Sequence, residues 1–168
     1  MKIKNIDITF ICLPPSLVAI PSAAYSVLKA YLNKSNIHSN IIYANHYLEK
    51  EFDYFKEEHI SNTESYLPFI SLYDKLEPSK RKYIKTYYQS FFPDYFLTDR
   101  TLHQEIEQDI EMQYIAVIEK IIWELKENNT KIVGFSSKFH QWIPALYMAR
   151  CIKEQIPDIT FITGGWTN

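Results

Sequence analysis

Glycine is almost absent from this chain: its 168 residues include three glycines, where an average composition of roughly 7% would supply about a dozen. None occurs in the first 133 positions. A G-x-G-x-x-G phosphate loop after a first strand is therefore excluded, which weakens a generic nucleotide-binding function. Gly134, Gly164 and Gly165 each stand where a short apolar run ends. Because glycine permits positive φ or close approach to the backbone, these run ends are the first candidates for a site.

Cysteine, long apolar runs and charge of one sign are also scarce. The two cysteines, Cys12 and Cys151, form no CxxC pair and no disulfide framework, so we expect a cytoplasmic location. No apolar run reaches the ~18 residues needed to span a bilayer, and the N-terminus makes a poor signal peptide. The net charge of −2 does not give the excess of positive charge that is typical of proteins that bind nucleic acid or anionic membranes. We therefore expect neither kind of partner.

The histidines and nucleophiles form no recognisable catalytic or metal-binding pattern. His38, His46, His59 and His103 lack the spacing of metal ligands, and ordinary surface roles are favoured for them. Neither cysteine has a His-Asp pattern nearby in the sequence, so covalent catalysis has little support. We predict no catalytic residue and no metal ligand set in this chain.

The first 43 residues have the pattern of a β-α-β unit. Alternation over 6–13 indicates a strand, Pro14-Pro15 ends it, and Ser22 can cap a following helix. A second short strand covers 39–43. The helix between them has one apolar face, which we expect to point to the core and which comprises Ala24, Val27, Leu28, Tyr31 and Leu32.

The last 68 residues repeat this alternation of strand and helix. Apolar residues with a helical period run from Leu102 to Leu125, after a capping-box pattern at Thr101 and Gln104. A strand over 131–136, a helix ended by Pro157 and a strand over 159–163 follow. The order predicts an α/β fold of the flavodoxin-like type, with about four mostly parallel strands.

Residues 46–100 differ in composition from the rest and hold 14 of the 23 tyrosine and phenylalanine residues. We interpret them as short helices, divided by Pro68, Pro78 and Pro93, that form an insertion between the second and third strands of a single domain over 1–168. Aromatic residues in such a segment pack in a core more often than they stack on a ligand.

Three predicted loops meet at one edge of this sheet, since parallel strands end on the same side: 14–22, 136–141 and 164–168. Ser136 and Ser137 offer hydroxyls, expected at a helix N-terminus, to an anionic or polar ligand. Gly164 and Gly165 leave room for a ligand against the backbone. The alternative is that these are turn and cap residues, with glycines that serve only close packing.

Three blocks of the sequence, 133–141, 145–153 and 157–165, resemble the cobalamin-binding domain. The resemblance is to the version that precedes the catalytic barrel in cobalamin-dependent radical SAM enzymes that modify ribosomal peptides. The Leu13-Pro14-Pro15-Ser16 and Pro21-Ser22 motifs match that version too, and 91–96 matches more weakly. Together the motifs cover nearly the whole chain, although each is short.

The resemblance implies roles by position. Ser136 and Ser137 correspond to contacts with the cobalamin nucleotide tail, Gly164 and Gly165 line its slot, and the 14–22 loop lies beside the corrin. His140 could contact cobalt or a corrin amide, and Lys138 could face a propionamide or solvent. The full set of candidate cofactor-binding residues is Pro15, Ser16, Ser136, Ser137, Lys138, His140, Gly164, Gly165 and Trp166.

Three features of that family are missing. The loop after the first strand has no DxHxxG, so it supplies no lower axial histidine for cobalt. There is no CxxxCxxC, so we expect no iron–sulfur cluster and no complete enzyme in this chain. The final strand and helix of a flavodoxin-like domain are absent, which predicts a fragment or split subunit that associates with itself through an exposed sheet edge or with a catalytic chain.

The resemblance therefore implies a cobalamin-binding module that works with a radical SAM catalytic chain or domain and a substrate peptide. Two alternatives stay open at this point. One is a non-catalytic module in which the aromatic insertion binds a peptide or partner subunit and the cofactor slot is vestigial. The other is the generic nucleotide-binding domain, already weakened by the missing glycines.

Overall fold

A four-stranded sheet, parallel throughout, organises the computed structural model, which describes residues 5–14, 22–51, 69–91, 100–137 and 141–164. Its strands lie in the order β2-β1-β3-β4. In chain order the elements are β1 (Ile8–Cys12), α1 (Ala23–Lys34), β2 (Ser39–Tyr43), α2 (Ala44–Glu51), α3 (Ile70–Leu76), a 3₁₀ turn (Pro78–Lys80), α4 (Arg81–Phe91), α5 (Arg100–Glu127), β3 (Ile132–Ser136), α6 (Trp142–Gln155) and β4 (Thr160–Gly164). The predicted α/β class and strand number are confirmed, and the order is consistent with a flavodoxin-like fold.

The strands bury two different faces because successive side chains point to opposite sides of the sheet. Ile11 of β1 and Leu13, just after β1, enter the larger core, which α2, α3, α5 and α6 cover. Phe10 and Cys12 point the other way, into a smaller cluster with Tyr25 of α1. The two faces are therefore unequally covered, and α1 contributes most of the cover on the smaller side.

The sequence signals for the start of α1 and for both ends of α6 are confirmed, whereas Thr101, expected to cap α5, lies within that helix, which the structure describes from Arg100. Ser22 caps α1, where its hydroxyl accepts a hydrogen bond from the Tyr25 amide at 3.4 Å. Pro144 lies in the first turn of α6, where its missing N–H leaves no intrahelical bond unmade, and α6 ends two residues before Pro157. The α5 periodicity is confirmed over the side chains that the structure describes, since the residues buried there are Ile110, Tyr114, Val117, Ile118, Ile121, Ile122 and Leu125.

The predicted core face of α1 was wrong. Val27, Leu28 and Tyr31 are 68%, 43% and 69% exposed, whereas Tyr25 is 2% exposed and is the buried residue of this helix. Apolar residues occur on most sides of α1, so periodicity alone does not select the inward face. Tyr25 is held inward because its hydroxyl bonds to two backbone groups of the sheet, as described below.

The segment 46–100 is described only in part. Helix α2 extends into it, α3 and α4 lie within it, and residues 52–68 and 92–99, with Pro68 and Pro93, lie outside the described residues. Phe69 is buried and packs edge-on against Tyr114, while Tyr83 is exposed. A single helical insertion therefore stays a prediction, and its described aromatics divide between core and surface. Among the described helices, none is both long and apolar enough to cross a membrane.

Candidate functional site

The order of the strands reverses between β1 and β3. The chain proceeds from β1 outward to β2, then returns to place β3 on the other side of β1. In open parallel α/β sheets, ligands bind outside the carboxyl ends of the strands at such a switch point. The ends of β1 and β3, at Cys12 and Ser136, therefore mark the candidate site.

Tyr25 replaces the last backbone hydrogen bond between these two strands. Ile132 donates its amide to the Asp7 carbonyl at 3.1 Å, and Ile8 pairs with Ile132 in the register. Continued along the strands, the same pattern would join the Ser136 amide to the Ile11 carbonyl. Instead the Tyr25 hydroxyl accepts from the Ser136 amide at 2.7 Å and donates to the Ile11 oxygen at 2.8 Å. β1 and β3 thus separate by the width of a hydroxyl at Ile11 and Ser136, where an opening between the two strands begins.

The environment of Tyr25 keeps its hydroxyl protonated. Burial raises the pKa of Tyr25 well above its ordinary value, an effect that the hydrogen bond from the Ser136 amide only partly opposes. A neutral phenol can donate and accept at once, as this position requires. The Tyr25 hydroxyl therefore bonds to both strands at the inner end of the opening between β1 and β3.

The loops that follow the strands are tied together at the same edge. Gln141, which is buried, donates its side-chain amide to the Leu13 carbonyl at 2.9 Å. The Ser137 amide donates to the Gly164 carbonyl at 2.9 Å, which continues the β3–β4 ladder to the end of β4. The predicted convergence is confirmed for the loops 136–141 and 164–168, at Ser137 and Gly164. For the loop 14–22 it stays a prediction, since residues 15–21 lie outside the described residues. Since β3 and β4 stay paired where β1 and β3 part, the opening lies between β1 and β3.

Gly134 and Gly164 differ in whether the structure requires glycine at their positions. A Cβ on Gly134 would lie 2.6 Å from Cδ1 of Phe10, so close packing within the sheet requires glycine there. A Cβ on Gly164 would meet no described atom within 4 Å, and its φ is not in the left-handed region. Packing explains Gly134, as the alternative interpretation expected. Nothing in the described chain requires glycine at position 164, which leaves room for a ligand or partner.

The structure brings together part of the predicted residue set. Ser136 and Ser137 are half-buried at the edge of the opening between β1 and β3, and Gly164 is exposed beside them. The structure describes α6 from Trp142, with Gln141 before it. Residues 138–140 lie outside the described residues, so the position of Ser136 and Ser137 at a helix N-terminus stays a prediction. The other candidates lie outside the described residues: Pro15, Ser16, Lys138, His140, Gly165 and Trp166.

Sequence reasoning missed Tyr25 and Gln141, which organise this edge. A signal existed for Tyr25: it lies one turn after the Ser22 cap, at the helix end nearest the β1 loop, and it carries a polar group that needs a partner if buried. No comparable signal marks Gln141. Its partner is the carbonyl of Leu13, 128 positions earlier, which only the fold brings near.

A shallow cavity of about 220 Å³ lies at the opposite, amino edge of the sheet. Its two lysines are engaged locally, Lys126 with Gln155 at 3.2 Å and Lys131 with Asn129 at 2.9 Å. It holds none of the predicted site residues, and parallel sheets bind ligands at the other edge. Within the described ranges, no group of three or more His, Cys, Asp or Glu side chains could hold a metal ion.

Comparison of the chain with protein-family models, with curated proteins and with solved structures finds no match in any of the three.

Proposed function

We propose that this chain is a cobalamin-binding module of a radical SAM peptide-modifying system, and that it takes the nucleotide tail of the cofactor at the β1–β3 opening. The observation that carries the proposal is the hydroxyl of Tyr25 between Ile11 and Ser136, which opens the sheet immediately before the Ser136-Ser137 pair. The chain is not catalytically complete in this proposal, because no CxxxCxxC is present.

The described residues fit the group in two respects. No described atom lies within 4 Å of a Cβ on Gly164, so the described residues leave space for a planar or elongated ligand against the backbone there. Ser136 and Ser137 place hydroxyls that can donate and accept at the same edge. A cluster of protein metal ligands would not be required, since cobalamin would bring its own cobalt.

The roles of this chain's residues would be binding and orientation. Tyr25 would set the width of the opening, Ser136 and Ser137 would contact polar groups of the tail, and Gly164 would line its path. When bound, cobalamin supplies methyl-transfer or radical chemistry at its cobalt–carbon bond, while the protein positions and shields it. The substrate peptide and the catalytic chain would come from the rest of the system.

Titration of the purified chain with hydroxocobalamin tests the proposal, with visible spectra and co-elution on gel filtration as readouts. We expect retention of the cofactor by the native chain. Gly164→Val should weaken binding at least tenfold, equivalent to about 1.4 kcal/mol, with an unchanged melting temperature. Thr163→Val, on the opposite face of the same strand, is the matched control and should bind normally. No retention at concentrations well above micromolar would rule the proposal out.

A second candidate function has its own observation. Helix α4 exposes Tyr83 (72%) and Tyr87 (47%), one turn apart, with the exposed Lys80, Lys82 and Lys85 nearby in sequence and no acidic residue from 78 to 91. Exposed tyrosines are typical of protein-binding hot spots, and the lysines favour an acidic segment. In this alternative the chain is a peptide-interaction module and the β1–β3 opening is vestigial.

Binding of a fluorescent peptide rich in Glu and Tyr would separate the two candidates. For the interaction module we expect Tyr83→Ala to lower affinity and raised salt to weaken it, with cobalamin absent from the protein. Tyr31→Ala, at a position with similar exposure on α1, serves as the control. A chain that retains cobalamin and ignores the peptide would exclude this alternative.

A further inference from the structure

The outer edge of β4 carries backbone groups that have no partner among the described residues. β4 lies at the end of the sheet, beside β3. The Thr160 amide donates to the carbonyl just before β3, and the Gly164 carbonyl accepts from the amide just after β3, both at 2.9 Å. In a parallel ladder, every second residue of a strand turns both of its backbone groups to the same neighbour. The amides and carbonyls of Phe161 and Thr163 therefore point away from β3.

Lys153 closes this edge at the amino end of β4. Ile159, two residues before Phe161, turns its backbone groups to the same side. Its carbonyl accepts a hydrogen bond from Lys153 Nζ at 2.9 Å, and its amide donates to the Ile156 carbonyl at 3.1 Å. From Phe161 onward, the part of the chain that the structure describes supplies no such partner. The free edge therefore runs from Phe161 to the carboxyl end of the sheet, where the candidate cofactor-binding residues lie.

The edge of β4 lacks the features that keep edge strands from pairing with another chain. Lysines, prolines and bulges are the common ones. β4 contains no proline and no charged residue, and its one-to-one register with β3 leaves no bulge. Every residue of β4 except Phe161 is exposed, whereas no residue of β2, at the other edge of the sheet, is exposed. Among the described residues, β4 is therefore the edge that is open to another strand.

We propose that the substrate peptide binds along this edge as a fifth strand. The inference rests on the proposed function, which includes a peptide substrate. An edge of five residues is about 17 Å long, too short to bury the ~1,200 Å² of a stable interface between folded proteins. The main chain of a short extended peptide has the matching alternation of donors and acceptors. It would exchange hydrogen bonds with Phe161 and Thr163, by strand addition.

The side chains beside the edge favour an uncharged peptide. On the α1 side of the sheet, Ile162 is 45% exposed and offers an apolar contact to the added strand. On the other side, the half-buried Phe161 stacks on Phe135, with 5.9 Å between the ring centroids. A charged peptide residue beside either side chain would lose solvation without an ionic partner on β4. We therefore expect apolar or β-branched residues at the paired positions of the peptide.

A peptide on β4 reaches the candidate site. Gly164 ends β4 at the same edge as Ser137, from whose amide it accepts a hydrogen bond. With ~4.8 Å between neighbouring strands, the added strand would lie about 10 Å from β3, which borders the opening bridged by Tyr25. Strand addition would therefore bring the peptide residues next to the paired segment to the edge where the cofactor is proposed to bind.

Amide hydrogen exchange of the whole chain, measured by NMR without cobalamin, tests the proposal. The probe is an acetylated, amidated hexapeptide of alternating threonine and valine. In the free chain we expect fast exchange at Phe161 and Thr163 and slow exchange at Ile162, whose amide belongs to the β3–β4 ladder. Peptide at about ten times its Kd should slow exchange at Phe161 and Thr163 roughly tenfold, since exchange then occurs from the free fraction. The same peptide N-methylated at its central residues cannot donate and should give no protection.

Proline substitutions test which amides face the edge. Proline is tolerated in an edge strand where the N–H side faces solvent. Thr163→Pro should therefore fold and abolish the protection of Phe161 by the peptide. Ile162→Pro removes a donor of the β3–β4 ladder and should lower the melting temperature. Thr163→Val keeps the amide and should bind the peptide normally. If Thr163→Pro does not fold, the N-methylated peptide on the native chain decides.

Two results would overturn the proposal. One is the absence of any protection by the Thr-Val peptide. The other is slow exchange of Phe161 and Thr163 in the free chain, because another segment or a second copy would then already cover the edge. Retention of hydroxocobalamin without protection by the peptide would overturn the peptide edge alone. Protection without retention would support the peptide edge and overturn only the proposed cofactor.

Discussion

The hydroxyl of Tyr25 accepts a hydrogen bond from the Ser136 amide at 2.7 Å, across 111 positions of sequence. The same hydroxyl donates to the Ile11 carbonyl at 2.8 Å. One side chain from α1 thereby replaces the terminal backbone bond between β1 and β3. The site proposed for a ligand begins where this replacement opens the sheet.

Removal of that hydroxyl should destabilise the fold and loosen the strand ends. Tyr25→Phe leaves the Ile11 carbonyl and the Ser136 amide without their partner, at a cost of about 1–3 kcal/mol in the free energy of unfolding. Urea denaturation measures this cost, and hydrogen exchange at the Ser136 amide should accelerate. Tyr83→Phe, at an exposed position, should change stability by less than ~0.5 kcal/mol. Equal stability of both variants would contradict the bridging role.

The glycines at the two strand ends should respond oppositely to alanine. Gly134→Ala places a Cβ 2.6 Å from Phe10 Cδ1, and such overpacking destabilises by about 1–3 kcal/mol. A Cβ on Gly164 meets no described atom within 4 Å, so Gly164→Ala should change stability by no more than ~0.5 kcal/mol. Thermal denaturation of both variants checks this. A loss at Gly164 as large as that at Gly134 would show that position 164 serves the fold.

Buried and partly buried tyrosines should make the folded protein less stable at alkaline pH. Burial raises the pKa of Tyr114 and Tyr147, and burial with the hydrogen bond to Glu124 raises that of Tyr47 to about 12. Because these folded-state values exceed the unfolded value of ~10, their contribution to stability is complete below pH ~10 and is lost as the pH rises through the folded pKa.

Urea midpoints should therefore fall between pH ~10 and ~12. Absorbance at tyrosinate wavelengths should show a delayed titration for Tyr47, Tyr114 and Tyr147. Tyr47→Phe should make the decline shallower, whereas Tyr83→Phe should leave it unchanged. The absence of any delayed tyrosinate signal would contradict the burial described here.

The two thiols should react slowly in the folded protein. Cys12 is buried, and burial followed by the nearby Glu154 raises the pKa of Cys151 against the opposing effect of Arg150. Since the thiolate is the reactive form, the alkylation rate of Cys151 should rise only above the ordinary thiol pKa. Labelling with iodoacetamide over a range of pH, before and after denaturation, measures this. Fast labelling of Cys151 at neutral pH would indicate an activated thiol that this environment does not predict.

Much of the fold could be predicted from local pattern. The alternation at 6–13 and the short apolar runs near 39–43, 131–136 and 159–163 all correspond to observed strands. These predictions succeed because side-chain period and capping residues depend on neighbours in the sequence. The site was predictable in part: Ser136, Ser137 and Gly164 meet at one edge because parallel strands end together.

Other features depended on distant residues and could not be predicted. The inward face of α1 is one, since Val27, Leu28 and Tyr31 have the helical spacing of a core face and are nevertheless exposed. The need for glycine at position 134 but not at 164 is another. Phe10, whose ring leaves no room for a Cβ on Gly134, is 124 positions away in the chain.

The sequence by itself determined where the four strands and the helices α1, α5 and α6 lie, that the strands are parallel, and which edge collects the polar and glycine residues. Those properties follow from the period of burial along each segment and from short connections between segments. Only the tertiary structure decided how α1 is rotated and how far β1 and β3 separate. The physical reason is that one buried hydroxyl needs both a donor and an acceptor, and Tyr25 finds them on two strands that the chain brings together from its opposite ends.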